Sequence, residues 1–546
     1  MASYRISKKF SRKVAYFSME FAIAHCLKTY AGGLGYLAGS YMRSAFDLHQ
    51  NMVGIGILWK YGYYDQIRKA DNGMGVLFQE KHYTFLEETD LLLPVYVNKH
   101  QVHVKAWFLP PGIFGTCPMY FLSTDIPEND YLARTITHKL YDSDPSARIA
   151  QSIVLGMGGM KLLEQVAADT EIFHLNEAHA LPLVFHLYEK YRSIPEIKKR
   201  VIFTTHTAEK AGNAEHSISQ LEQMSFFGNL SFDEARQVSR EFGDSFNHSR
   251  VALRLAGQAN AVSKLHGEIS REIWKPYPDL CAIQQITNGQ NLRYWADRKL
   301  RQALESGDEV LLRDRKLHLK RRLIEEVASQ TGKLFEENAI IVVWARRFAG
   351  YKRPTLLMHD VARFLQLLSV KTQKLQIIWA GKPYPSDESE ISVFNHLVEI
   401  TRAYSNAAVL TPYELELSRL LKAGADVWLN TPRRPHEASG TSGMSAAMNG
   451  CINLSVQDGW ICEFARHGEN AFVLPVADAS QSIGSQDAED CRNLLGMLES
   501  EILPLYYQQP DRWFEILKTS MREIVPAFGS DRMAEEYYAL YSSLSG

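Results

Sequence analysis

The sequence predicts an α/β fold of doubly wound parallel sheets, and two observations lead to this prediction. Short apolar runs alternate with longer helical patterns along the chain. Several of these runs lead directly into a polar or glycine-rich turn and then a helix, which is typical of βαβ units. Because ligands bind at the carboxyl ends of the strands in such sheets, the turns after the apolar runs are candidate sites.

Six apolar runs are predicted to be buried parallel strands because each is short and continuous. They are residues 14–18, 171–175, 201–205, 339–344, 375–380 and 426–430. The strand signals form two groups that are separated near residues 274–279. Two doubly wound domains are therefore expected.

The composition is that of an ordinary globular protein. Of 546 residues, 46% are hydrophobic and 22% are charged, which excludes a disordered, collagen-like or small disulfide-stapled chain. The 60 Lys and Arg residues nearly balance the 62 Asp and Glu residues. The net charge of −2 gives no overall basic field, so neither nucleic acid nor an anionic membrane is expected as a partner.

The cysteine pattern and the N-terminus both favour a cytoplasmic location. The six cysteines are dispersed, without a CxxC pair, and are expected to be reduced thiols. The N-terminal segment is basic but lacks the hydrophobic core of a secretory signal. No stretch approaches the ~20 apolar residues that a membrane helix needs.

A glycine-rich turn precedes an amphipathic helix at residues 30–39. Glycines let the backbone approach a ligand closely, and the N–H groups at a helix start attract anions. A tight packing turn explains the same glycines equally well, so this motif alone does not define a site.

Four cations follow the apolar run at residues 339–344, namely Arg346, Arg347, Lys352 and Arg353. Holding them together at a strand end is costly unless an anion neutralises them, and arginine suits bidentate phosphate binding. A solvated basic loop is the alternative, but the position after a buried strand favours phosphate.

The segment 430–450 is the third motif. A strand ends, Pro435 turns the chain, and Glu437 leads a run of small hydroxyl and glycine residues into a helix. Such a segment offers donors to a sugar or phosphate, while the carboxylate accepts from a sugar hydroxyl. A glycine-rich packing turn is the alternative, and the cation cluster argues against it.

Two histidine motifs lie at predicted strand ends. The first contains His174, Glu177 and His179, and the second contains His206. A lone histidine is more often structural than functional. The first motif does not have the HExxH spacing of a zinc site, so no metal is expected.

Together these motifs resemble those of the α-glucan phosphorylases, in particular the short bacterial type related to glycogen and maltodextrin phosphorylase. The resemblance runs nearly end to end, through residues 16–21, 31–35, 174–179, 204–207, 259–266 and 286–289 to the two C-terminal motifs. It implies a GT-B architecture of two Rossmann-like domains. The N-terminal domain, with the glycine turn and the acceptor side, would span residues 1–278. The C-terminal domain, which binds phosphate and the glucosyl group, would span 279–524, and a helix in 525–546 would pack back on the N-terminal domain.

The resemblance also implies roles for individual residues. Arg347 and Lys352 match the phosphate-binding cations, and Arg346 stands where the family usually has a basic residue. The backbone carbonyl of His206 would face the developing oxocarbenium ion, and Glu437 would hold the transferred glucose. The further residues matched to the substrate site are Gly32, Gly33, Leu34, Asn260, Ser439, Gly440 and Thr441.

Ser445 is the departure that bears most on function. The phosphorylases have a lysine here that forms a Schiff base with pyridoxal phosphate, and a hydroxyl cannot form an imine. Related nucleotide-sugar transferases have a ribose-binding glutamate at this position, so neither signature is kept. Covalent pyridoxal phosphate is excluded at Ser445, whereas non-covalent pyridoxal phosphate or a nucleoside diphosphate remains as an alternative.

Three functional hypotheses follow. The first is a retaining glucosyltransferase that exchanges glucose between an α-1,4-glucan or maltooligosaccharide and glucose 1-phosphate or a nucleotide sugar. The second is a phosphorylase that holds pyridoxal phosphate non-covalently in a pocket with Tyr16, Tyr413 and Thr441. The third is a catalytically silent glucan-binding homologue. Homodimers are common in the family, so a homodimer is also compatible with the resemblance.

Overall fold

The computed structural model describes residues 4–209 and 212–544, and the chain divides into two compact units. Within the described residues, unit 1 contains 4–64, 78–209, 212–291 and 530–544, and unit 2 contains 65–77 and 292–529. The predicted domain ends at residues 1–3 and 545–546 lie outside the described residues.

The strands are short, as expected for an α/β protein. In chain order they are β1 Val14–Phe17, β2 Met52–Ile57, β3 Asp65–Arg68, β4 Met74–Leu77, β5 Glu87–Val97, β6 His100–Leu109, β7 Met119–Ser123, β8 Ile172–Asn176, β9 Val201–Thr204, β10 Glu215–Ser217, β11 Ser245–Asn247, β12 Gln258–Ala261, β13 Ile283–Gln285, β14 Ile340–Ala345, β15 Leu375–Ala380, β16 Ala407–Leu410, β17 Val427–Asn430, β18 Ile452–Ser455 and β19 Phe472–Val473.

Helices connect most of the parallel strands. They are α1 Gly33–Asp47, α2 Pro111–Phe114, α3 Tyr131–Thr135, α4 Pro145–Ile153, α5 Gly159–Val166, α6 Pro182–Tyr191, α7 Ile194–Lys198, α8 Ile218–Gln223, α9 Phe232–Ser239, α10 His248–Leu255, α11 Lys264–Trp274, α12 Leu292–Trp295, α13 Arg298–Ser306, α14 Glu309–Thr331, α15 Val361–Ser369, α16 Glu388–Arg402, α17 Leu415–Gly424, α18 Ser442–Ala447, α19 Ile461–Phe464, α20 Ile483–Met497, α21 Leu503–Gln508, α22 Pro510–Phe528 and α23 Ser530–Ser543. Among the described residues, no helix is both long enough and apolar enough to cross a membrane.

Unit 1 is built on a nine-stranded sheet in the order β13-β12-β9-β8-β1-β2-β7-β6-β5. The strands from β13 to β7 are parallel, and β6 and β5 add an antiparallel edge. Val14 of the central strand β1 lies opposite Met52 on one side and Ile172 on the other. Every residue of β1, β8 and β9 is buried, which explains why their sequences are almost continuously apolar.

The C-terminal helix α23 completes the core of unit 1. Its Tyr537 ring lies 5.2 Å from the ring of Tyr41 on α1, and the Tyr541 hydroxyl is 2.7 Å from that of Tyr41. The backbone N–H of Ser530 donates to the Gln290 carbonyl at 3.0 Å. The last described residues therefore belong to the same unit as the first strand.

Unit 2 contains a six-stranded, entirely parallel sheet in the order β16-β15-β14-β17-β18-β19. Lys320 of helix α14 and Asp426 form a buried ion pair of 2.7 Å, and Asp426 also accepts from the backbone N–H of Ile341 at 2.8 Å. These bonds fix the start of β17 against β14. Both strands then end at the same edge of the sheet, because they are parallel.

The prediction of an α/β protein with parallel sheets is confirmed, but the unit bounds differ from the predicted domain bounds of 278/279 and 524/525. The antiparallel pair β3 and β4 belongs to unit 2, although it lies early in the chain. Gln66 of β3 explains this placement. Its side chain donates to the Gly381 carbonyl at 2.8 Å and accepts from the Tyr413 N–H at 3.0 Å.

Candidate functional site

Unit 2 holds a buried carboxylate between two cations. Arg346 directly follows β14, Lys352 lies in the next turn, and Glu437 lies in the loop after β17. Nη2 of Arg346 is 2.5 Å from Oε2 of Glu437, and Nζ of Lys352 is 2.8 Å from Oε2 and 3.2 Å from Oε1. The cation cluster and the segment 430–450 therefore meet at one group.

The charge state of Glu437 follows from these contacts. Burial alone would raise its pKa, but the charges of Arg346 and Lys352 outweigh burial and lower the pKa to about 2. The carboxylate is thus ionised at neutral pH and can accept a hydrogen bond from a sugar hydroxyl.

Arg346 has a further nitrogen to offer. Its Nη1 is buried and has no hydrogen-bond partner among the described residues, although Nη2 is bound to Glu437. A buried guanidinium N–H without an acceptor is costly. An anion such as a phosphate group would satisfy it, so the donor set fits an anionic ligand.

The other two cations of the cluster are placed differently. Arg353 is buried and donates to the Thr431 carbonyl at 2.8 Å, while Asp487 and Asp490 neutralise its charge at 2.8 and 2.7 Å. It therefore holds the loop after β17 in place. Arg347, predicted to bind phosphate, is exposed at the surface of unit 2.

Asp458 binds the backbone of Glu437, and sequence analysis did not identify it as part of the site. Its carboxylate accepts from the backbone N–H groups of Glu437 and Gly459, each at 2.9 Å. Burial, assisted by the negative charge of Glu437, raises the pKa of Asp458 to about 7. Its position after β18, at the same sheet edge as Glu437, was the signal available in the sequence.

The predicted sugar-binding segment follows Glu437 closely. Gly440 has a φ of 79°. The Cβ atom of any other residue at this position would lie 3.4 Å from Oε1 of Glu437. Ser439 is buried, and its carbonyl accepts from the Trp460 N–H at 3.0 Å. Thr441, also buried, is the last residue before helix α18.

The residues around Ser445 do not fit covalently attached pyridoxal phosphate. Ser445 is fully buried on α18, and its hydroxyl donates to the carbonyls of Thr441 at 3.3 Å and Ser442 at 3.2 Å. Tyr413 donates to the Ala345 carbonyl at 3.1 Å, and burial raises its pKa to about 12. A phosphate group fits Arg346, but position 445 supplies no amine for an imine.

Unit 1 contains a cavity of about 280 Å³. Its lining includes Leu34 of the glycine turn, His206, and residues that follow the buried strands. The imidazoles and carboxyl group among them are those of His179, His206, His216, His248 and Glu177.

His206 is held by its neighbours at the end of β9. Its Nε2 is 2.7 Å from Oδ1 of Asn176, and its backbone N–H donates to Oε1 of Glu177 at 2.5 Å. Burial lowers the pKa of His206 to about 3, and the neighbouring His266 and His179 contribute to the shift. The imidazole is therefore neutral at pH 7 and can bind sugar hydroxyls.

Glu177 is a second residue that sequence analysis did not assign to the site. Besides the His206 N–H, its Oε1 accepts from the Thr207 hydroxyl at 3.1 Å. Burial raises the pKa of Glu177 to about 7. The sequence signal was a carboxylate between two histidines, which was considered only as a zinc motif.

The glycine turn is already partly engaged by a carboxylate. The backbone N–H groups of Ala31 and Gly32 donate to Oε2 of Glu20 at 2.7 and 2.9 Å. Helix α1 begins at Gly33, and a Cβ atom at position 32 or 33 would have no described residue within 4 Å beyond its own chain neighbours and helix backbone. The turn therefore borders open space, as a close ligand approach requires.

Two predicted site residues of unit 1 lie in its core. Tyr16 packs its ring 5.1 Å from Tyr41 and 4.8 Å from His174, and it is 2% exposed. This placement gives no support to the predicted cofactor contact. Asn260 is fully buried and accepts from the Thr204 hydroxyl at 2.6 Å. This bond links strand β12 to the end of β9.

In the part of the chain that the structure describes, no group of three or more His, Cys, Asp or Glu side chains is arranged to hold a metal ion.

Comparisons with known proteins extend over almost the whole chain. A family model described as carbohydrate phosphorylase matches residues 298–489. An uncharacterized protein of Methanocaldococcus jannaschii is 46% identical over 96% of this chain and 99% of its own. The maltodextrin phosphorylase of Thermococcus litoralis is 32% identical over 97% of this chain and 70% of its own, and the glycogen phosphorylase of Mycobacterium tuberculosis is 30% identical over the same shares.

Proposed function

Since the chain belongs to the carbohydrate phosphorylase family, we propose that it is a retaining glucosyltransferase that exchanges glucose between an α-1,4-glucan and a phosphate-activated form of glucose. The activated form is glucose 1-phosphate or a nucleotide sugar. The GT-B architecture implied by the family resemblance is part of this proposal.

The observation that carries the proposal is the arrangement of Arg346, Lys352 and Glu437. One carboxylate, ionised and held by two cations, is suited to a sugar hydroxyl. The buried Nη1 of Arg346 has no acceptor among the described residues, and an anion bound at the same site would supply one. A sugar that carries a phosphate group on its anomeric carbon presents both groups in one molecule.

The cavity of unit 1 supports a neutral carbohydrate as the other substrate. Burial lowers the pKa of His179 to about 4 and that of His248 to about 3, so these imidazoles are uncharged at pH 7. Neutral imidazoles both donate and accept hydrogen bonds, as sugar hydroxyls do. We assign the glucan to this cavity, which His206 lines.

Ser445 determines how each candidate donor would use the site. Because the imine cannot form at this position, the proposed transfer does not depend on a covalently held cofactor. A nucleotide sugar would use the cations for its second phosphate, whereas glucose 1-phosphate would use them for its only phosphate.

The test is a donor screen with purified protein. Maltoheptaose is incubated with inorganic phosphate, with glucose 1-phosphate, or with each of several nucleotide sugars, and each mixture is repeated with added pyridoxal phosphate. Chain-length changes are followed by mass spectrometry. We expect transfer with at least one donor and its loss in Glu437→Gln. Glucan binding without any transfer would contradict the proposal and favour a silent homologue, and transfer only with added pyridoxal phosphate would identify a non-covalent holoenzyme.

A further inference from the structure

Gln151 is a buried polar residue in the wall of the unit 1 cavity. It lies on helix α4, and only 1% of its surface is exposed. Its Nε2 donates to the carbonyl of Ile136 at 3.1 Å and to that of Lys139 at 2.9 Å. Its Oε1 is buried and has no hydrogen-bond partner among the described residues. The nitrogen of this amide is therefore used by the fold, whereas the oxygen is an acceptor that no described donor reaches.

The bonds of Nε2 fix which way the amide points. Both of its partners are backbone carbonyls, which accept hydrogen bonds but cannot donate them. A rotated amide would place Oε1 against these two carbonyls, so the observed orientation is the favourable one. A buried acceptor without a donor is costly, and a ligand that brings an O–H or N–H group removes this cost.

A second polar atom in the same cavity has the same property. Nδ1 of His179 is buried, and it also has no hydrogen-bond partner among the described residues. His179 belongs to the short turn Ala178–Ala180, which packs against helix α4. Its imidazole is neutral at pH 7, so one ring nitrogen donates and the other accepts. Two packed elements thus bring an amide oxygen and an imidazole nitrogen to one cavity.

The wall of the cavity favours a neutral, hydroxyl-bearing ligand. Oε1 of Gln151 can only accept, so it repels the oxygens of a phosphate or carboxylate group, which also accept. A sugar hydroxyl both donates and accepts, and it therefore suits the amide oxygen as well as the imidazole. Met19, Leu34 and Ile149 add apolar surface that can face the C–H groups of a pyranose ring. Arg148 also lines the cavity, but it is exposed, so solvent screens its charge.

We propose that Gln151 determines the specificity of the glucan cavity, because its Oε1 accepts a hydrogen bond from one glucose hydroxyl. The inference rests on the proposed function, since it takes the glucan as the occupant of this cavity. Gln151 binds the sugar and takes no part in the bond changes of the transfer. A sugar that lacks the hydroxyl leaves Oε1 buried without a donor, so the site rejects it.

A deoxygenation scan tests the proposal in the wild type. The probes are maltotriose and a set of analogues in which a single hydroxyl is replaced by hydrogen. Isothermal titration calorimetry with the full chain gives the Kd of each probe. We expect at least one analogue to bind roughly 10-fold more weakly than maltotriose. If no analogue loses that much, or if maltotriose does not bind, the proposal is overturned without recourse to any variant.

The same scan in Gln151→Met assigns the hydroxyl to Gln151. Maltotriose should bind roughly 10-fold more weakly than to the wild type, and the analogue that lacks the partner hydroxyl should lose nothing further. A purely structural role would weaken all probes by the same factor and keep their ratios, which would overturn the proposal. Gln101→Met, at an exposed glutamine of the same unit, is the matched control and should reproduce the wild-type scan.

The donor screen described above distinguishes failure of this inference from failure of the proposed function. A wild type that transfers glucose, but whose ratios are unchanged in Gln151→Met, would overturn only the role of Gln151. A wild type that transfers no glucose, yet discriminates the hydroxyl through Gln151, would support the sugar site and contradict the transferase.

Discussion

Nη2 of Arg346 and Nζ of Lys352 both reach Oε2 of Glu437, at 2.5 and 2.8 Å. One carboxylate oxygen thus accepts two charge-assisted hydrogen bonds in a buried position. The carboxylate fixes both cations before any ligand arrives. Since two cations face a single carboxylate, the group keeps a net positive charge that an anionic substrate can use.

The stability contributed by Glu437 should depend on pH. Its pKa of about 2 in the folded protein is below the usual glutamate value, so its contribution is complete above about pH 5 and is lost as pH falls toward 2. Glu437→Gln leaves two buried cations with a neutral partner and should cost roughly 3 kcal/mol at pH 7. Urea unfolding at pH 7 and pH 3.5 measures the difference, which should shrink at the lower pH.

Glu337→Gln provides the control for this measurement, because Glu337 forms an exposed pair with Arg321 at 2.9 Å. Its effect should stay below about 1 kcal/mol. A cost for Glu437→Gln that does not change with pH would show that the carboxylate charge is not what stabilises the site.

Inorganic phosphate should stabilise the protein through Arg346. A ligand that binds only the folded state adds about 2.7 kcal/mol at one hundred times its Kd. Thermal unfolding should therefore shift upward with phosphate in the wild type and much less in Arg346→Met. Arg321→Met, which removes an exposed arginine of the same unit, should keep the full shift. An equal shift in both variants would place the anion elsewhere.

Borohydride reduction in the presence of pyridoxal phosphate should leave Ser445 unlabelled, since a hydroxyl forms no imine. In Ser445→Lys, the peptide that contains α18 should gain the reduced adduct, because the family resemblance places the cofactor lysine at this position. Peptide mass spectrometry distinguishes the two results. An unlabelled Ser445→Lys protein that is folded would show that the surrounding residues no longer admit the cofactor.

The hydroxyl of Tyr541 should be important for stability. It lies 2.7 Å from the Tyr41 hydroxyl and 2.7 Å from Nδ1 of His174, all within the core of unit 1. Tyr541→Phe leaves these groups without that partner and should cost about 1–3 kcal/mol in chemical unfolding. Tyr131→Phe, at a residue that is 82% exposed, should change stability little. Similar costs for both would contradict the role assigned to the hydroxyl.

Much of the fold could be predicted from local sequence. Strands β1, β8, β9, β14, β15 and β17 occur where continuous apolar runs predicted them, because strands buried on both faces carry few polar residues. The segment 65–77 could not be placed this way. Its membership of unit 2 depends on the bonds of Gln66 to Gly381 and Tyr413, which are more than three hundred positions away in the chain.

The motifs that form the site could be predicted from the sequence, but the role of each residue within them could not. Nothing in the cation cluster distinguishes Arg353, bound to Asp487 and Asp490, from Arg346, which keeps a buried donor without a partner in the described residues. The aspartates come from helix α20, which is distant in the chain, so only the tertiary structure separates the two arginines. Glu177 was visible only as a carboxylate between two histidines, since its backbone conformation leaves no pattern in the sequence.

Phosphorolysis of maltoheptaose, followed by ³¹P and ¹H nuclear magnetic resonance, tests the central claim most directly. The account predicts that the wild type forms α-glucose 1-phosphate from maltoheptaose and phosphate, or transfers glucose to maltoheptaose from a nucleotide sugar with α configuration. Glu437→Gln, prepared in parallel, should do neither. A folded wild type that moves no glucose with any of these donors, or that gives a β product, would contradict it.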